Sequence, residues 1–199
     1  MAQERPIVMV SSTVYHQQSF LDQIFASLET FGYTVWMSQA GTLPVNPSLS
    51  NFRNCLLAVE ACDVFLGIIT GRYGSGKDDK TKSITHREID RAISKKKLSW
   101  FLVHHDVAVA RQLLRQYKPN PRHLQWKFPF RNTAVLEDLR VLQMYEKAMR
   151  HDVPLNKRTG NWVQEFYYSQ EALRFIEGQF SNTERVRSFI EKTRAGGKQ

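Results

Sequence analysis

Cysteine is scarce: Cys55 and Cys62 are the two in a chain of 199 residues. That excludes a disulfide framework, and their spacing matches no zinc motif. Both read as core thiols of a reducing compartment. Long apolar runs are missing too. No stretch approaches the ~20 residues of a membrane span, and the opening Met1-Ala2-Gln3-Glu4-Arg5-Pro6 has no apolar signal-peptide core. A cytoplasmic protein without membrane contact is expected. Glycine and proline, at 10 and 7 residues, are too few for a fibrous chain, and no repeat or low-complexity tract is visible. With 42% hydrophobic and 24% charged residues, the composition is that of an ordinary globular chain with a core of normal size.

Acidic residues are in deficit. The net charge is +9, and residues 101–199 hold most of it, with 17 Lys+Arg against 10 Asp+Glu; residues 1–100 hold 11 against 9. A basic half can meet nucleic acid. No nucleic-acid motif accompanies the charge, and the aromatic residues fall at helical spacing, as core residues do. Nucleic acid is therefore not the expected partner. The run Lys95-Lys96-Lys97 follows a helical pattern, where cations suit the helix dipole without any ligand.

The first half alternates strand and helix. Ile7–Val10, Tyr33–Met37, Val64–Ile69 and Leu98–Val103 read as strands. Between them lie amphipathic patterns with Phe20, Leu21, Ile24, Phe25, Leu28 and Phe31, with Leu49, Phe52, Leu56 and Val59, and from Thr85 to Lys95. Such alternation predicts an α/β fold with a parallel sheet covered on both faces. The expected order is flavodoxin-like, 2-1-3-4 with room for a fifth strand. Its crossovers reverse between strands one and three, where ligands bind. Residues 1–106 are expected to form this domain. Residues 107–199 are expected to be a mostly helical extension on the same core. A helix is predicted over Val107–Tyr117, a longer one over about Ala134–Arg150, another over Trp162–Phe180 and a shorter one over Thr183–Lys192.

The strongest local signal follows strand three. Gly71-Arg72-Tyr73-Gly74-Ser75-Gly76-Lys77 matches the spacing of a phosphate-binding loop. Asp78 and Asp79 stand where a Ser or Thr and a helix start are required, so the match fails as a nucleotide triphosphatase motif. No dinucleotide fingerprint or nucleophile elbow is present. Adjacent His104 and His105 point to opposite faces of an extended segment, and no metal site is expected. Thr85-His86-Arg87-Glu88 fits a capping box with Thr85 as N-cap and Glu88 at N3. In that position the helix dipole would keep Glu88 ionised.

Three motifs together, Ser11-Ser12-Thr13-Val14-Tyr15, Gly71-Arg72-Tyr73-Gly74-Ser75 and Ser83-Ile84-Thr85-His86-Arg87-Glu88-Ile89-Asp90-Arg91-Ala92, resemble the DUF4062 family over about residues 5–105. The chain is similar to stand-alone bacterial members. That family is related to TIR (TIR-like) domains and to nucleoside 2-deoxyribosyltransferases. The resemblance implies a nucleotide ligand and N-glycosidic chemistry, in its most TIR-like form cleavage of NAD by a hydrolase. Glu88 would then act on the ribosyl C1′. Ser11, Ser12, Thr13 and Tyr15 would face ribose or phosphate. Arg72, Tyr73, Ser83 and Thr85 would line the pocket. NAD or another nucleotide would be substrate rather than cofactor, and no cofactor is expected. His16 and Gln39 stand where acids are expected. The alternative that the residues leave open is a nucleotide-sensing or assembly domain that forms a homo-oligomer.

Overall fold

The computed structural model describes residues 4–13, 18–76, 81–118, 126 and 128–196. It shows an all-parallel five-stranded sheet in the order β2-β1-β3-β4-β5. The strands are β1 (Ile7–Ser12), β2 (Thr34–Met37), β3 (Val64–Ile69), β4 (Leu98–His104) and β5 (Asn161–Phe166). Among the described residues seven α-helices accompany them: α1 (Gln18–Thr30), α2 (Asn51–Ala61), α3 (Ile84–Ser94), α4 (His105–Leu114), α5 (Arg140–Ala148), α6 (Ser169–Phe180) and α7 (Thr183–Gly196). This is the flavodoxin-like α/β sheet that the alternation predicts.

Strand alternation divides the core in two. Met9, Phe65, Ile69, Phe101 and Val103 face one side, where α2, α3, α4 and α5 pack. Val8, Val10, Leu66, Ile68 and Leu102 face the other, under α1, α6 and α7. Strand β3 is buried at all six positions, as a central parallel strand should be. Its Gly67 is required by packing. A Cβ there would stand 2.7 Å from the Phe101 ring.

The second half departs from expectation in two places. Trp162–Phe180 does not begin as a helix. Residues 161–166 form β5, which pairs with β4 from Ser99↔Asn161 to His104↔Phe166. Val163 and Phe166 are three apart, which suits a helix. In the strand they face opposite cores, Val163 with the α5 side and Phe166 with the α6 side. Helix α6 then starts at Ser169 with a capping box in which Glu171 returns to the Tyr168 backbone. The expected 134–150 helix is shorter as well and begins at Arg140. Glu137 and Asp138 are turned to other tasks. The Glu137 carboxylate accepts from Tyr73 N at 2.9 Å, and Asp138 holds Arg140. Residues 107–199 thus carry both helices and an edge strand of the sheet.

A buried polar cluster fastens this half to the core. The Glu146 carboxylate on α5 accepts from Lys118 Nζ at 2.6 Å, from Arg111 Nε at 2.9 Å and from Trp126 Nε1 at 3.1 Å. The Lys118 ammonium also lies 5.0 Å from the Trp126 ring centroid. Trp126 is buried, and Phe128 and Phe130 pack against the same core. Among the described residues no helix is long and apolar enough to cross a membrane.

Candidate functional site

The reversal of crossover direction between β1 and β3 opens a cleft of about 410 Å³ at the carboxyl ends of the strands. Its walls come from β1 (Ser11, Ser12), the segment after β2 (Gln39, Leu43), α2 (Asn54, Cys55) and α3 (Thr85, Glu88). Apolar and polar groups mix there as in small-molecule sites. Asn54 shapes one wall. Its amide donates to the carbonyls of Asn46 and Leu49 and accepts from Asn46 N, holding the 46–49 loop in place.

Among the described residues Glu88 is the one charged residue of this lining, and its placement differs from the capping-box reading. Ser83, not Thr85, is the N-cap of α3; its hydroxyl accepts from His86 N at 3.2 Å. Glu88 therefore lies in the second helical turn, beyond the strongest reach of the dipole. Its carboxylate accepts a hydrogen bond from the Ser11 hydroxyl instead of returning to the helix backbone. Thr85 Oγ1 donates to the Ser12 carbonyl at 3.1 Å and locks α3 to the end of β1.

The electrostatics change with this placement. Glu88 is buried, 5% exposed. Burial raises its pKa above the ordinary 4.5, and hydrogen bonds from Ser11 and Cys55 oppose the rise. The acid is thus held toward its protonated form, opposite to the effect expected from a first-turn position. The Cys55 thiol is pushed up to about 12, first by burial and then by the neighbouring Glu88 charge. It stays protonated at neutral pH and serves Glu88 as a donor. Cysteine spacing alone gave no sign of this role. The helical register Cys55–Val59, which puts Cys55 on the buried face of α2, was the available clue.

The other expected residues divide. Ser11, Ser12, Thr85 and Glu88 meet at the cleft, and so does Gln39. Thr13 lies at the rear, where its hydroxyl accepts from Thr70 N at 3.0 Å and stitches β1 to β3. Ser83 caps the helix. Arg72 is exposed and is not among the lining residues. Tyr73 is fully buried on the far side of α3, its hydroxyl 2.8 Å from His86 Nδ1 and its ring under the Arg140 guanidinium at 4.3 Å. Tyr15 and His16 lie outside the described residues, as do Lys77, Asp78 and Asp79 of the phosphate-loop match. Gly71 of that match has a packing reason. A Cβ there would stand 1.8 Å from the Val135 carbonyl oxygen. His104 caps α4 by accepting from Asp106 N, and among the described residues no three His, Cys, Asp or Glu side chains cluster as metal ligands.

His86 supports the site from behind. Burial depresses its pKa to about 4, against a partial opposing effect of Asp90. A neutral ring with Nδ1 accepting from Tyr73 and Nε2–H toward Asp90 at 3.8 Å satisfies its neighbours. The folded state then resists a proton that the unfolded chain takes up below about pH 6.5. Stability is expected to fall by about 3 kcal/mol as pH drops from about 6.5 to 4, and His86→Gln should flatten that slope. Urea unfolding at several pH values measures it; an equal slope in wild type and variant would remove His86 as the cause.

The fold is a doubly covered parallel α/β domain with a cleft at its switch point, lined among the described residues by one buried carboxylate. The chain belongs to the DUF4062 family, a domain of unknown function, whose model matches residues 7–158. The match runs past residue 106 and ends just before β5. No curated protein matches the sequence. Among solved structures, the chain is similar to a Clostridium botulinum CMP N-glycosidase, BcmB, at 12% identity and a TM-score of 0.44, covering 86% of this chain and 99% of that one.

Proposed function

We propose that this protein breaks the N-glycosidic bond of a nucleotide at the β1/β3 cleft, with Glu88 acting on the ribosyl C1′. One observation carries the reading. A carboxylate with two side-chain donors is buried at the point of the sheet where such folds bind ligands, and it faces the cleft instead of capping its helix. Burying an acid in this way lowers stability, and proteins retain such groups at working sites.

In the reaction the C1′–N bond breaks and its electron pair leaves with the base. The carboxylate of Glu88 stabilises the oxocarbenium-like C1′ or bonds to it as an ester. Water then adds at C1′, displacing the Glu88 carboxylate where the ester has formed, gives up a proton to solvent and leaves a ribose hydroxyl. A base that departs neutral, such as nicotinamide, requires no proton, so Glu88 works in its ionised form. The Ser11 hydroxyl and the Cys55 thiol orient the carboxylate and favour its charge. Ser12, Thr85 and Gln39, which line the cleft, would meet sugar hydroxyls. NAD is the leading substrate.

The experiment is incubation with NAD, nucleoside monophosphates and free nucleosides, with released base followed by chromatography and ligand binding followed by thermal shift. Base release is expected for at least one class. Stabilisation by a nucleotide without any product would favour a sensing domain instead. Neither product nor stabilisation, in any assembled state, would contradict the proposal.

A further inference from the structure

We propose that a second cleft, at the amino-terminal edge of the sheet, binds a small anion carrying two or more phosphoryl groups. This cleft has a volume of about 910 Å³ and lies where α2 and α3 end and where β4 and β5 begin. One strand length, roughly 20 Å, separates it from the Glu88 cleft. It goes beyond the glycosidic reading and does not depend on it.

Its charge is lopsided. Five cations line it, Lys95, Lys96, Lys97, Arg150 and Arg194, against the carboxylates of Glu60 and Asp63. Both acids are already paired, Glu60 with Arg91 at 3.0 Å and Asp63 with Arg194. Lys97 is also engaged, donating to the carbonyls of Glu60 at 2.5 Å and Cys62 at 2.7 Å. The surplus is therefore carried by Lys95, Lys96 and Arg150, none of which forms an ion pair among the described residues. The Nε of Arg150 is shielded from solvent and has no acceptor there.

Helix dipoles explain part of this. The carboxyl ends of helices favour cations, and Lys97 capping the last carbonyls of α2 is such a case. They do not explain the backbone. Lys96 and Arg150 are the two non-glycine residues with positive φ, at 52° and 51° among the described residues. Each sits just past a helix, α3 or α5, in the left-handed position where glycine is the least costly residue. A cation inside the last turn would serve the dipole equally well with glycine at that position. Two helices instead place a basic residue at the unfavourable site, and both line the same cleft. Retained backbone strain of this kind marks functional positions.

The lining also indicates the ligand. Among the described residues no aromatic side chain lines the cleft to stack on a base. Thr159 and Thr193 supply hydroxyls beside the cations. The volume exceeds what a single phosphate fills. An oligophosphate, free or as the phosphate chain of a small metabolite, fits charge, donors and size.

Calorimetric titration with pyrophosphate and tripolyphosphate tests this, alongside a nucleoside triphosphate and short single-stranded and duplex DNA. Saturable binding of an oligophosphate is expected. Lys96→Gly and Arg150→Asn should each weaken it about tenfold or more, whereas Arg131→Gln, an equal loss of charge elsewhere, should not. Lys96→Gly should at the same time raise the melting temperature of the free protein, which separates lost binding from lost folding. Tighter binding of the triphosphate than of tripolyphosphate would assign the ligand to nucleotides, and equal binding to the phosphate chain alone. The proposal is overturned by no saturable oligophosphate binding, by unchanged affinity in both variants, or by binding confined to DNA.

Discussion

Replacing Glu146 by alanine is expected to remove about 3–5 kcal/mol of folding stability, among the largest effects available to one substitution in this chain. Glu146 is 1% exposed and accepts from an ammonium, a guanidinium and an indole. Removing the acceptor leaves two cations in a poorly solvated place, and the loss reflects mainly their desolvation. An exposed ion pair would contribute only about 0–1 kcal/mol. The cluster ties together α4, residue 118, residue 126 and α5, so its loss should loosen the whole α4–α5 side. Thermal unfolding should show the midpoint lowered by roughly 6–20 °C. Removing the charge on both sides, with Glu146→Leu and Lys118→Met together, should recover part of the loss. A midpoint within a degree or two of wild type for Glu146→Ala would show that the cluster is not a structural fastening.

Glu88→Gln is expected to do the reverse and stabilise the fold at neutral pH. The folded pKa of Glu88 lies above its unfolded value because burial disfavours the charge. Below the unfolded value both states hold the proton, and the acid imposes no penalty. As pH rises the unfolded chain ionises first, so stability falls and stays low above the folded pKa. Glutamine does not titrate, and its carbonyl still accepts from Ser11. The variant should therefore match wild type near pH 4 and gain on it toward pH 8. A gain of 1 kcal/mol would appear as a rise of roughly 2–4 °C in a chain of this size. A capping residue behaves differently: its loss destabilises at every pH where it is charged. Equal or lower stability of Glu88→Gln at pH 8 would contradict the buried-acid description.

The frame of this fold is legible in the sequence because its strands announce themselves. Val64–Ile69 is a short run, apolar at nearly every position, as strands covered on both faces are. The order of strands followed from alternation and crossover handedness, and with it the meeting of Ser11 and Glu88. Two local patterns misled. Thr85 and Glu88 have capping-box spacing, but Ser83 two residues earlier is an equally good cap, and only tertiary contacts with Tyr73 and Ser12 decide between them. Val163 and Phe166 have helical spacing, but their partner strand β4 has an open edge that the sequence cannot display. Arg72 and Tyr73 show a different limit. Adjacent loop residues look equally available for a pocket, and the packing of Gly71 against residue 135 turns Tyr73 inward and leaves Arg72 in solvent. Cys55 is legible as a core thiol but not as a donor to Glu88, because that role depends on one neighbour across the α2–α3 contact.

The central claim is that the Glu88 carboxylate performs the chemistry of the β1/β3 cleft. Base release measured side by side for wild type and Glu88→Gln, on the nucleotide that wild type turns over fastest, tests it most directly. The account predicts a loss of about a thousandfold or more from a variant that is more stable than wild type at pH 8. Release by Glu88→Gln at a rate near that of wild type would contradict it.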